Sequence, residues 1–324
     1  MVRPHRYARD QAAESDRSTG VTVDFATAAD PFRRELLAHC YRMLGSLHDA
    51  EDLVQETYLR AWKAYGQFEG RSSVRTWLYR IATNVCLTAL DTRSRRPLPF
   101  GLSTSSSQDD PLTQNHEIPW LEPFPTDPAA IVTERESTRL AFVAALQHLP
   151  PRQRAVLILR DVLRLSAAET ADQLDMTVAA VNSALQRAHA QLKDLTEESV
   201  TEPAEAKELL DRWVKAFVAK DIPAIIGMFT EDVVWEMPPY PQWYHGPDLV
   251  AWHLVNQCPA VPHRARMLAV EANGQPAYGL YLQDGDEFRP FNLQVLEIRN
   301  DRIARVSSFF DLSLFQRFGL PSTA

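Results

Sequence analysis

The chain has 324 residues, 45% of them apolar, with a formal net charge of −8; this length and apolar content allow two or three domains with cores of their own and exclude a wholly disordered chain. No stretch approaches the roughly 18 uninterrupted apolar residues of a membrane helix, and charges stand where a signal peptide would be apolar, so the expected location is cytoplasmic. Cys40, Cys86 and Cys258 are too few and too scattered for a disulfide framework or a CxxC knuckle and are expected as buried thiols; no metal and no cofactor is called for.

The charge is unevenly placed. Residues 31–96 sum to +4 and residues 131–196 to +1, while residues 1–30 carry −1, residues 97–130 carry −5 and residues 197–324 carry −7. Acid therefore concentrates away from two helical regions whose charge suits an anionic partner.

In chain order, residues 1–30 are polar and without apolar periodicity, which predicts a disordered tail. Residues 31–96 read as helical: Leu36, Leu37, Cys40, Tyr41 and Leu44 recur at helix spacing, and Gly45 interrupts them. In a second helix Ala50, Leu53, Val54, Thr57, Tyr58, Ala61 and Trp62 form one stripe, leaving Asp49, Glu51, Asp52, Glu56 and Arg60 outside it. A third helix from about Ser73 to Asp91 buries Val74, Trp77, Leu78, Ile81, Val85 and either Leu90 or Cys86. It displays Arg75, Tyr79, Arg80, Thr83 and Asn84, a mixture of cations, aromatic and amide suited to single-stranded DNA.

Residues 97–130 form a Pro/Ser-rich acidic linker, although Ile118–Phe124 sets large apolar groups in it. Helical periodicity resumes over residues 131–196. Past Pro203 one amphipathic helix precedes β-rich segments bounded by turns such as Asp284-Gly285 and Asn300-Asp301, so residues 203–318 read as α+β.

The sharpest motif lies at residues 166–192. Ser166-Ala-Ala-Glu169 matches a capping box and opens a short helix that Asp175-Met-Thr177 ends. Thr177 caps a second helix with an inner face of Val181, Leu185, Ala188 and Leu192. Its outer face is Ala179, Ala180, Asn182, Ser183, Gln186 and Arg187: short side chains, then amide and guanidinium donors. Such a face suits base edges and phosphates in a major groove. A plain αα-hairpin with a solvated polar face is the alternative.

These regions resemble an extracytoplasmic-function sigma factor of bacterial RNA polymerase. Asp49–Trp62 (DAEDLVQETYLRAW) is similar to the family's core-polymerase-binding helix, and Thr76–Asn84 (TWLYRIATN) to its −10 helix. Leu149–Leu157 (LPPRQRAVL) with the helix-turn-helix is similar to its −35-reading domain. The resemblance implies that residues 31–96 are sigma region 2, with Asp49, Asp52, Gln55 and Glu56 on the polymerase and Arg75, Trp77, Tyr79, Arg80 and Asn84 on the melted −10 element. Residues 131–196 become region 4, with Thr177, Ala179, Ala180, Asn182, Ser183, Gln186 and Arg187 on the −35 duplex. The implied partners are core RNA polymerase and promoter DNA, the acidic linker competing for a nucleic-acid channel. His189 stands where the family often has Arg.

The last segment resembles a SnoaL-like, NTF2-type cone, through Ile225–Pro238 and Tyr244-His-Gly-Pro247. The resemblance implies a curved sheet around a pocket, with Trp235, Met237, Tyr240, Trp243, Tyr244, Trp252, His253, Tyr281 and Phe309 as candidate lining. Trp235, Tyr244, His253 and Asp311 are the pocket candidates singled out. Glu236, His245, His253 and Asp311 are the titratable groups at hand, yet no spacing identifies a catalytic base. The expectation is a regulatory module that is not an enzyme, sensing a small-molecule ligand or docking on the helical domains. Two alternatives stay open: a ligand-sensing DNA-binding regulator acting without polymerase, and a bifunctional protein with a cyclase- or isomerase-like domain.

Overall fold

The structure is a computed structural model describing residues 25–126, 137–193 and 206–324. Its helices are α1 (Arg33–Leu44), α2 (Leu47–Tyr65), α3 (Val74–Leu90), α4 (Leu140–Leu146), α5 (Pro151–Leu157), α6 (Ala167–Leu174), α7 (Val178–Leu192), α8 (Lys207–Ala219), α9 (Ile222–Ile226), α10 (Pro247–Asn256) and α11 (Ser313–Arg317). The strands are β1 (Phe229–Met237), β2 (Tyr240–His245), β3 (Ala265–Ala272), β4 (Gln275–Asp284), β5 (Glu287–Arg299) and β6 (Arg302–Phe309). Contacts gather the described residues into two compact units, one from those within 1–93 and 150–188 and one from those within 94–149 and 189–324.

In the first unit α1–α3 pack around Leu36, Cys40, Met43, Ala50, Val54, Leu78, Ala82 and Cys86, all buried. Each large apolar side chain buried this way contributes about 1.5–3 kcal/mol. Gly45 ends α1 at φ 71°, a left-handed conformation natural to glycine, and Ser46 then caps α2 through the Asp49 amide at 3.1 Å. Ser73 caps α3 in the same way, accepting from the Thr76 amide at 3.0 Å. α5 begins on Pro151, whose missing N–H costs nothing at a first helical position. Its Arg154, 3% exposed, reaches the Met43 carbonyl near the end of α1, where a cation satisfies an otherwise orphaned acceptor.

The expected disordered tail needs correction at its end. Residues 25–29 are helical, and Phe25 is buried edge-on against Tyr58 and Tyr65 at centroid distances of 6.0 and 5.2 Å. An aromatic anchor on α2 orders this segment; residues 1–24 lie outside the described residues. So do residues 127–136, where the second helical region was expected to begin, and residues 194–205.

The second unit is built on a six-stranded sheet of order β2-β1-β6-β5-β4-β3, antiparallel except for the β1–β6 pair. Register shifts at Glu236/Met237, Phe229/Val234, Leu280/Tyr281 and Glu297/Ile298 interrupt four pairings, and such irregularities bend a sheet. Asn273-Gly274 and Asn300-Asp301 close hairpins with φ positive at both residues, as the two-residue turn requires. α8 and α10 cover the concave face, where Trp213, Phe217, Trp235, Val250, Leu296 and Val306 form the core.

The linker is not a spacer. Along the β2 edge Ser106 N donates to Trp243 O at 2.8 Å, His245 N to Ser105 Oγ at 3.1 Å and Trp243 Nε1 to Ser103 O at 3.1 Å. At the β3 end Asn273, wholly buried, exchanges hydrogen bonds with Phe124: Phe124 N donates to Asn273 Oδ1 at 2.8 Å and Asn273 N to Phe124 O at 2.7 Å. The strap satisfies edge groups that would otherwise invite pairing with another chain, and Leu121 at 0% exposure shows where its apolar segment goes.

Candidate functional site

The helix-turn-helix forms as its residues dictate. Ser166 Oγ accepts from Glu169 N at 3.2 Å while Ser166 N donates to Glu169 Oε2 at 2.7 Å, completing the capping box. Asp175 turns left-handed at φ 50°, and Thr177 Oγ1 accepts from Ala180 N at 3.1 Å to start α7. Val181, Ala184, Ala188 and Leu192 are buried, Ala184 taking the place expected for half-buried Leu185. Thr177, Ala179, Asn182, Ser183, Gln186 and Arg187 are exposed and Ala180 is half-buried, so the Thr177 cap and one face of α7 bring the seven expected DNA residues to the same side.

The −10 candidates on α3 divide. Arg75 and Tyr79 are both tied to Glu35 of α1: Arg75 Nη2 lies 2.6 Å from Glu35 Oε2, Tyr79 Oη donates to the same oxygen at 3.2 Å, and the guanidinium stands 5.0 Å above the Tyr79 ring. Burial, then the Glu35 charge, pushes the Tyr79 phenol well above its ordinary 10, so it is a fixed donor. Trp77 is half-buried in a cluster with Phe68 at 4.9 Å and Tyr65 at 6.3 Å. Asn84 is exposed. Arg80 reaches Asp172 at 3.5 Å and Asp175 at 3.4 Å on the helix-turn-helix, contacts long and solvated enough to be weak.

On α2, Asp52 and Gln55 are exposed and Glu56 is paired with Arg60 at 2.6 Å. Asp49 is 9% exposed and bound to Arg93 at 2.7 Å. Trp62, expected in the core stripe, is instead 41% exposed, and Leu59 is 53% exposed. With Asp52, Gln55 and Glu56 they make one face at i, i+3, i+4, i+7, i+10 spacing, apolar at its C-terminal end. The sequence pattern hides this apolar end because Trp62 sits beside Ala61, which is the residue that packs inward.

In the second unit a cavity of about 300 Å³ opens on the concave face. Trp235, Met237, Tyr240 and His253 line it. Tyr244 stands behind, its hydroxyl donating to Gln257 Oε1 at 2.5 Å; the same oxygen meets His253 Nδ1 at 2.8 Å. Because Gln257 Oε1 only accepts, Nδ1 carries the proton and Nε2 is an acceptor. Burial lowers the His253 pKa, which keeps the ring neutral. Asp311 lines a different groove, with Trp120, Leu121 and Pro239, so the structure separates it from the other pocket candidates. Tyr281 faces α11, its ring 5.1 Å from Phe315, and Trp243 faces the strap, 4.9 Å from Phe100.

Strand alternation puts Glu236 on the face opposite Trp235. It is fully buried there: Oε1 accepts from Ser307 Oγ at 2.7 Å and Arg305 Nη1 at 3.4 Å, Oε2 from Phe100 N at 3.2 Å. Arg305 also stacks on Phe100 at 4.6 Å. Glu236 thus anchors the strap. His245 is exposed. Among the described residues no three His, Cys, Asp or Glu side chains are placed to hold a metal, and no helix is long and apolar enough to cross a membrane. Cys40 and Cys86 are buried neighbours, as expected, whereas Cys258 is half-buried.

Comparison with known proteins finds three family models along the chain. Family models match at residues 29–96 (Sigma-70 region 2), 139–192 (Sigma-70, region 4) and 210–306 (SnoaL-like domain). The chain is 53% identical over 315 residues to the ECF RNA polymerase sigma factor SigG of Mycobacterium tuberculosis, covering 93% of this chain and 85% of that one. It is 31% identical to the ECF RNA polymerase sigma factor SigW of Bacillus subtilis over 53% of this chain and 90% of the relative. The crystal structure of Mycobacterium tuberculosis SigJ shares the fold with TM-score 0.62 at 23% identity, covering 92% of this chain and 99% of that one.

Proposed function

The chain belongs to the extracytoplasmic-function sigma factors of RNA polymerase, and from that premise we propose how its own surfaces divide the work in the cytoplasm. α2 loads the chain on core polymerase, with Leu59 and Trp62 as apolar anchors and Asp52, Gln55 and Glu56 as the polar rim. Asp49 acts indirectly, fixing Arg93 at the end of α3. On α3, Asn84, Arg80 and Trp77 meet the melted −10 strand, while Arg75 and Tyr79 hold the helix in place through Glu35. α7 reads the −35 duplex.

The observation that carries this reading is the α7 face with its Thr177 cap: seven residues brought to one side of a helix whose other side is buried, with Asn182 and Gln186 able to pair with adenine and Arg187 with phosphate or guanine. The test is run-off transcription by the full chain with core polymerase. Promoter-specific transcripts that weaken with Gln186→Ala and Arg187→Ala are expected; no stable complex with core would overturn it.

The C-terminal module regulates and does not catalyse. In support, no carboxylate among the described residues lines the cavity and Glu236 is committed to the strap, so His253 has no carboxylate partner there. The strap also presents Asp109, Asp110 and Glu117 to solvent, negative charge of the kind that competes with DNA for a basic surface.

A further inference from the structure

The concave cavity carries polar atoms that the protein leaves without partners. Trp235 Nε1, Asn292 Oδ1, Gln294 Oε1 and Ser308 Oγ are each buried and each lack a hydrogen-bond partner, and all four residues line the same cavity. Their exposures are 3%, 3%, 1% and 1%. Asn292 and Gln294 alternate on β5 with Leu293 and Val295, on the face that also presents Leu296 and Ile298 to the core; Gln294 pairs in register with Ser308. Buried polar groups are nearly always satisfied, because each unpaired one bears its full desolvation cost. Four in one cavity form a polar patch that only a partner from outside the fold, water or ligand, can satisfy.

We propose that this cavity binds an uncharged ring compound bearing hydroxyl or carbonyl groups. Among the described residues the lining contains no Asp, Glu, Lys or Arg, so an ionised ligand would be buried without a counter-charge. Trp235 Nε1 is a donor for a carbonyl; Ser308, the two amides and His253 Nε2 are acceptors for hydroxyls. The remaining walls are flat or apolar: Phe217 and Trp235 are parallel within 2° at 6.5 Å, and Phe291 meets Phe310 at 5.2 Å. A volume of about 300 Å³ fits a compound of two or three rings. Leu112 and Gln114 of the strap complete the wall, Gln114 Nε2 donating to Tyr240 Oη at 3.0 Å, so an occupant touches strap and sheet together. The inference rests on the regulatory reading only for its consequence in transcription; binding is measured on the full chain without polymerase, so either can fail alone.

The probes are 2-naphthol, 2-tetralone and the anion 2-naphthoate, titrated calorimetrically against the full chain. A neutral probe is expected to bind saturably at one site, with 2-naphthoate at least about tenfold weaker. Trp235→Phe, which keeps the ring and removes the donor, and Gln294→Leu should each weaken binding about tenfold; Leu280→Trp should abolish it by filling the cavity. Independently of any ligand, Asn292→Leu and Gln294→Leu should leave the Tm of the free protein unchanged or raise it, since they remove orphaned groups. The proposal is overturned if neither neutral probe binds, if 2-naphthoate binds equally, if binding survives these variants, or if either leucine variant lowers the Tm.

Discussion

His39 makes the helical unit sensitive to acid in a way that can be calculated. It is fully buried between α1 and α3; Thr83 Oγ1 donates to Tyr79 O at 2.7 Å, so it accepts the proton of His39 Nε2 at 3.0 Å. Nδ1 is buried without a partner, and the ring lies edge-on to Tyr79 at 5.1 Å. Burial, with the Arg42 charge adding to it, lowers the pKa from 6.5 to about 3. The unfolded chain therefore binds a proton that the folded chain refuses, and stability present above pH 6.5 is lost as pH falls toward 3, about 5 kcal/mol in all. At pH 5.0 the loss is about 2 kcal/mol, and it barely depends on the folded pKa, because the native ring is still neutral there. His39→Leu forfeits one hydrogen bond, about 1 kcal/mol, but has no proton to gain. In urea unfolding followed by far-UV circular dichroism, the wild type should be the more stable at pH 7.5 and the variant at pH 5.0. Parallel losses in both proteins would refute the assignment.

Glu236→Leu should destabilise the second unit by about 2–3 kcal/mol, since Arg305, Ser307 and the Phe100 amide lose their acceptor; melting curves report the size, and faster proteolysis within residues 98–106 reports the released strap. Trp62→Ala should weaken core-polymerase binding by about 2 kcal/mol, read by competition binding, with helix content unchanged because Trp62 is 41% exposed. Arg187→Ala should lower the slope of log K against log salt for −35 duplex binding by about 1, whereas Asn182→Ala should flatten preference at one base pair and leave the slope alone.

Local chemistry wrote much of this protein openly. The capping box at Ser166 and Glu169, the Thr177 cap and the exposed face of α7 follow from hydrogen-bonding side chains within three residues of the groups they satisfy, and helical period does the rest. The sigma motifs and the α+β character of the last segment were readable for the same reason. Only the tertiary structure decided which partner each surface residue takes. Glu35, 40 residues from Arg75, turns a candidate DNA contact into a brace; Ala61 rather than Trp62 packs inward; Phe25 finds Tyr65 and orders the end of a polar tail. The linker looks like a spacer because its hydrogen bonds are non-local, running to Trp243, Glu236 and Asn273. Asn292 and Gln294 interrupt an apolar strand face visibly, yet whether a polar residue on such a face is paired or waiting for a ligand depends on which strands lie beside it, and that is set by the register of β4, β5 and β6.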